Sequence, residues 1–372
     1  MLACQRDAFE IPREVAYFDG AAYSPLPRVV RAAGEAGVLT KARPWAHPRG
    51  ESDVWAERAR AAAARLVGAS AGDVAIVGSV AYGVATAARA LPLAAGGRVL
   101  VMQDEFPSLV LVWREIAAAR GLVVEVIPRP VDGDWTAAWR AAIGRPGALP
   151  LAVAAITPLH WSDGALVDVA ALASVIRAAG GALVVDATQA AGVLAIDVTA
   201  LRPDFLVFPT YKWALGPYSL AFLYAAPDRQ GGLPIEFNGV NHPGGTAAAG
   251  AARYDKGERN DPVALPMAAV GLELVQSWGV GAIAGRLGYL TGLLAERLVG
   301  MGAGCLPWHF RAPHVLGARL PGGMPAGLIA GLAARGVFAS DRLGVLRISP
   351  HVWADEADVE RFLGVLDGVW VR

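Results

Sequence analysis

The sequence predicts an α/β fold. A large domain carries a mainly parallel seven-stranded sheet between helices, and a smaller α+β domain follows at the C-terminus. Three observations support this. Seven short apolar runs fall between residues 73 and 225. Alanine-rich segments of helical length separate most of them. After residue 225 the alternation gives way to a Gly-, Pro- and Asn-containing stretch, GGLPIEFNGVNHPGGT. Strands alternating with helices argue for parallel pairing, and strands covered on both faces read as continuous apolar runs.

Taken in order, residues 1–30 read as an arm. The expected strands are DVAIVGS (73–79), RVLVMQ (98–103), VVEVIP (123–128), LAVAAI (151–156), ALVVDA (182–187), FLVFPT (205–210) and SLAFLYA (219–225). Segments 83–92, 107–120, 134–143 and 167–179 read as the helices between them. The last two strands are joined by too few residues for a crossover helix, so that pair is expected to be antiparallel. Helices at about 263–278 and 281–300 then lead into a small αβ region. The expected division is an arm (1–30), a large domain (31–240), and a linker with the small domain (241–372).

Composition narrows the function. The 372 residues are 55% hydrophobic, and 33 basic residues balance 33 acidic ones. With no clustered basic patch, a nucleic-acid partner is disfavoured. No run reaches eighteen uninterrupted apolar residues, so no membrane span is expected. The first twenty residues carry charges where a signal peptide has its apolar core. Two cysteines, Cys4 and Cys305, make no disulfide framework, and a cytoplasmic location is the expectation. The histidines show no paired metal-ligand spacing, so no metal is expected.

Lysine is the informative residue type. There are three lysines, Lys41, Lys212 and Lys256, against thirty arginines. Lys212 sits in a mostly apolar stretch, FPTYKWALGPYSLAFLY. An arginine cannot form a Schiff base, whereas a desolvated lysine amine gives up its proton readily. Lys212 is therefore a candidate covalent catalyst. Upstream, Asp186 ends the strand ALVVDA, and ligands in open α/β sheets bind at the carboxyl ends of strands. Its carboxylate either caps the following turn or contacts a ligand. A lysine amine and an aspartate facing a pyridinium nitrogen are what a pyridoxal phosphate site needs most. The turn GSVAYG, which opens a helix after the first strand, presents backbone N–H groups suited to a phosphate. No nucleotide P-loop or dinucleotide fingerprint is present.

These segments together resemble the class V aminotransferase-like enzymes of pyridoxal-phosphate fold type I, the group that holds cysteine desulfurases, kynureninases and isopenicillin-epimerase-like proteins. The resemblance covers nearly the whole chain. YFDGAAYSPLP (17–27) is similar to the family's opening segment, and Tyr23 within it is implied at the substrate pocket. GSVAYGVATAA (78–88) is placed like the phosphate loop, which implicates Ser79, Val80 and Ala81. DEFPS (104–108) implies that Phe106 stacks on the cofactor. HWSDGALVDV (160–169) implies His160 near its phenolic oxygen, with Trp161 beside it to shape the pocket. VVDATQAAG (184–192) gives Asp186 and Gln189, and TYKW (210–213) gives Thr210, Tyr211 and Lys212. LRISPHVWADEADVERFL (346–363) resembles the segment whose arginine binds a substrate carboxylate, which implicates Arg347.

The chain departs from the desulfurases at three places. His160 stands where they carry Asn, and Tyr211 precedes the lysine where they carry His. The segment RGVFASDRLGV (335–345) has no cysteine to accept sulfur, which disfavours persulfide chemistry. The resemblance implies an amino acid or related amine as substrate, aminotransferase-type chemistry, and a homodimer with its active site at the interface. A β-eliminating lyase and an epimerase are the alternatives. A cofactor-binding protein without catalysis is opposed by the intact Lys212, Asp186 and Arg347.

Overall fold

The computed structural model describes residues 2–48 and 50–370. The large sheet has seven strands in the order Val74–Val77, Ala221–Ala225, Phe205–Pro209, Ala182–Asp186, Leu151–Ile156, Arg98–Met102, Val123–Ile127. Ala221–Ala225 runs antiparallel to both of its neighbours. The remaining pairs are parallel. The short Phe205–Ala225 connection thus gives the antiparallel pair expected from its length. All seven strands coincide with expected runs to within two residues at either end.

Successive residues of the strands feed two separate cores, as a period of two requires. Ile76, Leu100, Ala154, Leu206 and Phe208 pack on one face. Val77, Val99, Val153, Val184 and Val207 pack on the other. Helices cover both faces of the inner strands, which is why runs such as ALVVD and FLVFP are largely apolar, whereas the edge strand Val123–Ile127 carries Glu125 and leaves Val123 and Val126 exposed. The helix Val80–Ala90 lies so close to the sheet that a Cβ at Gly83 would stand 2.7 Å from Cγ2 of Val207. That proximity fixes the turn ahead of it.

Two N-terminal helices, Arg28–Ala42 and Glu51–Val67, pack against the helix Ala264–Trp278. Neither of the first two is among the helices expected from the sequence. Beyond them a four-stranded antiparallel sheet runs Ser340–Arg342, Val345–Ile348, Leu316–Arg319, Gly304–Cys305. The helices Val280–Gly300 and Glu356–Val369 accompany it, the second opened by a capping box between Asp355 and Asp358. The N-terminal arm is tied to this region. Ala16–Tyr17 pairs in parallel with Val337–Phe338. Arg6 donates to Asp358 across 2.7 Å in a buried ion pair. Phe9 meets Trp353 edge-on at 5.1 Å. Among the described residues no single helix is long and apolar enough to cross a membrane.

Candidate active site

Parallel pairing brings the carboxyl ends of Leu151–Ile156, Ala182–Asp186 and Phe205–Pro209 to one edge of the sheet. A cavity of about 220 Å³ opens there, with Thr157, Asp186 and Pro209 in its wall. Ligands of open α/β sheets collect at such an edge.

Lys212 lines this cavity and is 6% exposed. Among the described residues no hydrogen bond or ion pair holds its amine. Nζ lies 5.4 Å from the centre of the Tyr211 ring and 5.8 Å from that of Phe106. Burial pushes the amine down to about 8, Arg347 pushes the same way, and Asp186 opposes it. Removing a charge from water is costly, so a buried amine without a partner holds its proton weakly. Lys212 is therefore close to half neutral near pH 8.

Asp186 is 3% exposed. The main-chain N–H of Thr188 donates to its Oδ1 at 2.8 Å, and the Thr188 hydroxyl donates to the same oxygen. Oδ2 has no hydrogen bond among the described residues. Burial raises the Asp186 carboxyl above its ordinary value, while the Thr188 donors and Lys212 draw it back. A cationic N–H placed against Oδ2 would complete its hydrogen bonding and hold the carboxylate charged.

Opposite lies the start of the helix Val80–Ala90. Ser79 caps it by accepting from Tyr82 N–H at 3.1 Å. Ser79, Val80 and Ala81 all line the cavity. First-turn amides have no carbonyl partner within the helix, so this end suits an anion. Tyr211 stands in the same wall, its ring 3.9 Å from that of Tyr218, and burial raises its hydroxyl. Leu215 and Ser219, in the loop after Lys212, adopt left-handed backbone angles (φ 55 and 60). Non-glycine residues hold such angles only where the surroundings impose them, and they cluster at functional sites.

Phe106 immediately precedes the helix Pro107–Arg120, and its ring meets Trp161 edge-on at 5.5 Å. Both line the cavity; His160 does not. This corrects the expected position of His160. The histidine is fully buried and stacks flat on Trp135 at 5.6 Å. Its ring nitrogens face the Ser162 hydroxyl at 2.8 Å and the Gln103 carbonyl at 3.1 Å. Burial lowers it to about 4, so it is neutral at physiological pH. Trp161 takes its place in the wall, held by donation from Nε1 to the Asp104 carbonyl at 2.7 Å.

The other sequence-selected residues divide. Gln189 lines the cavity, but its amide is already engaged: Nε2 donates to Ala21 O and Oε1 accepts from Trp213 Nε1. Thr210 is fully buried outside the wall, its hydroxyl donating to the Pro217 carbonyl and bracing the 211–219 loop. Tyr23 also stands outside the wall and stacks on Tyr218 at 5.1 Å. Arg347 is 2% exposed and stands outside the wall, donating to the Trp161 carbonyl at 3.0 Å. It pairs with Asp19 at 3.1 Å. Burial lowers Arg347 to about 10 against the pull of Asp19, so its charge persists at neutral pH. Cys4 and Cys305 line no part of the cavity.

The sequence reading did not single out Glu105. It is 8% exposed and lines the cavity. Oε2 accepts from Thr157 Oγ1 and Oε1 from Phe106 N–H, both at 2.7 Å. Burial pushes it up to about 7 against those two donors. Its position in DEFPS, just past the end of a parallel strand, is the sequence feature that could have flagged it.

An unpaired buried amine, a carboxylate with one open oxygen and an open helix start share one cavity. These residues fit pyridoxal phosphate, whose aldehyde, ring nitrogen and phosphate match the three in turn. The family model described as "Aminotransferase class-V" matches residues 16–302. The chain therefore belongs to the aminotransferase class-V family, and it is a pyridoxal-phosphate-dependent enzyme. It is 27% identical over 340 residues to isopenicillin N epimerase of Streptomyces clavuligerus, which covers 84% of each chain. In fold it is similar to the apo structure of a cysteine desulfurase from Thermococcus onnurineus (TM-score 0.87, 23% identity, 99% of this chain and 98% of that one). It is also similar to a point mutant of C-DES that carries glycine covalently linked to its pyridoxal phosphate cofactor (TM-score 0.85, 21% identity, 98% and 100%).

Proposed function

We propose that the chain acts on an amino acid or a related primary amine with aminotransferase-type chemistry. The observation that carries this reading is the unpaired, buried Lys212 amine in one cavity with the buried Asp186 carboxylate. Pyridoxal phosphate supplies an aldehyde that an amine can capture and a ring that withdraws electrons. Asp186 would hold the ring nitrogen's proton. Ser79, Val80, Ala81 and Tyr211 would hold the phosphate. Phe106 would cover one ring face, and Arg347 would orient the substrate carboxylate. Lys212, half neutral near pH 8, would remove the proton from the substrate's α-carbon and redeliver it.

Lys212 lies 5.8 Å from the Phe106 ring, which carries no transferable proton. Removal and redelivery of the proton by Lys212 on one face supports transfer of the amino group. The likeness to isopenicillin N epimerase over 84% of the chain favours a second reading, in which the proton returns to the α-carbon with inversion. Neither cysteine lines the cavity, which supports a reaction without an enzyme-bound persulfide. The exposed rings of Tyr23, Tyr218 and Phe237 support a homodimer, with the partner covering them.

The test is product analysis. The cofactor-loaded protein is incubated with a panel of L- and D-amino acids and a keto-acid acceptor. Keto acid formed in step with amination of the acceptor supports the first reading. Inversion without loss of the amino group supports the second. Ammonia released with no acceptor present means β-elimination and overturns both.

A further inference from the structure

We infer that Arg342 is a second anion-recognising residue of this site, and that the substrate is an amino acid bearing an acidic group in addition to its α-carboxylate. The inference rests on the reading above and goes beyond it.

Ser340–Arg342 pairs antiparallel with Val345–Ile348, with Ser340 opposite Arg347 and Arg342 opposite Val345. Paired residues and alternate residues share a face, so Ser340, Arg342 and Arg347 project from the same side. Arg342 and Arg347 are diagonal neighbours there, a spacing of about 7–8 Å between backbones and well within reach of two arginine side chains. Like charges so placed repel unless anions lie between them.

One anion of the protein serves Arg347. Asp19 Oδ1 accepts from Arg347 Nη2 at 3.1 Å and from the Ser340 hydroxyl at 2.9 Å. Arg342 has no carboxylate within ion-pair distance among the described residues. Its single hydrogen bond runs from Nη1 to the carbonyl of the adjacent Asp341 at 3.2 Å. Arg347 retains an unspent donor as well, since its buried Nε has no partner. Both guanidiniums disfavour the protonated form of Lys212, so both lie within electrostatic reach of the reacting amine. Two guanidiniums with open donors within electrostatic reach of one amine match a substrate with two acidic groups. The α-carboxylate would meet Arg347 and the second group Arg342. A planar guanidinium takes a carboxylate bidentately, which gives geometric selectivity as well as attraction.

The test compares wild type with Arg342→Gln, the fold of each checked by circular dichroism. Alanine, aspartate, glutamate and α-aminoadipate are titrated against the visible band of the cofactor-loaded protein. At least one dicarboxylate should bind about tenfold or more tighter than alanine, one charge-assisted bidentate pair's worth. In Arg342→Gln that advantage should collapse towards one. A second readout needs no cofactor: the thermal midpoint of the cofactor-free protein should rise more with glutarate than with butyrate, and Arg342→Gln should abolish the difference. Absence of any visible band would sink the functional reading, and the second readout would then decide this one. Equal binding of mono- and dicarboxylates, or equal losses for both in Arg342→Gln, would overturn the inference.

Discussion

The Thr157 hydroxyl donates to Oε2 of Glu105 across 2.7 Å, and both residues face the cavity that holds Lys212. This places a second buried carboxyl beside Asp186, and burial raises it from 4.5 to about 7. A carboxyl with a raised folded-state value favours the fold when protonated. Its contribution is complete below about pH 4.5 and is lost as pH rises through about 7. The cofactor-free protein should therefore lose stability between pH 5 and 8, by up to about 3 kcal/mol from this group. Glu105→Gln should remove that declining component from the profile in urea titrations at each pH. An unchanged profile would show that Glu105 titrates as it does in the unfolded chain.

Lys212 gives the opposite sign. Its folded-state value is depressed from 10.5 to about 8. Its contribution to stability is complete above about 10.5 and is lost as pH falls through about 8. Chemically, the cofactor-free protein should capture an aldehyde or an acylating reagent at Lys212 with a rate that rises through pH 8. Arg347→Gln removes a nearby positive charge and should move that midpoint upward. Mass-spectrometric labelling across pH measures both.

Asp186 is strained by burial until a cation meets its open oxygen. Asp186→Asn keeps an acceptor for Thr188 but removes the charge. The substitution should weaken cofactor binding by about 10- to 100-fold, the range for a hydrogen bond to a charged group. It should also stabilise the cofactor-free protein, because a buried charge is gone. Cofactor fluorescence and thermal melts read the two effects separately. Weaker binding with lower stability would point to a structural role alone.

Arg347 and Asp19 form a largely buried pair, with side chains 2% and 19% exposed. Arg347→Ala leaves Asp19 without its cation and should cost about 2–4 kcal/mol of stability. With an amino-acid substrate it should raise KM more than it lowers kcat, since the lost contact is to a non-reacting group. A drop in kcat with KM unchanged would place the substrate carboxylate elsewhere.

The inner strands were legible because they are covered on both faces, which leaves continuous apolar runs such as ALVVD and FLVFP, and the exposed edge strand Val123–Ile127 was legible from its valines and isoleucine. Lys212 and Asp186 were legible because a lone lysine and a strand-ending aspartate are chemically conspicuous. The helices Arg28–Ala42 and Glu51–Val67 were not, since alanine and glycine supply much of their buried faces and blur the apolar stripe. His160 was misplaced by one residue. Past Ile156 the chain turns, and neighbouring side chains point to opposite sides, so Trp161 reaches the cavity and His160 the core. Glu105 was passed over because a carboxylate beside an aromatic residue reads as solvated until burial is known. The tie between Arg342 and Arg347 depends on strand register, which the hairpin sets and composition does not reveal.

Only three lysines could carry a pyridoxyl label: Lys41, Lys212 and Lys256. Borohydride reduction of the cofactor-saturated protein, followed by peptide mapping, tests the central claim most directly. The account predicts one pyridoxyl group per chain, on Lys212. A label on Lys41 or Lys256, or no label on any lysine, would contradict it.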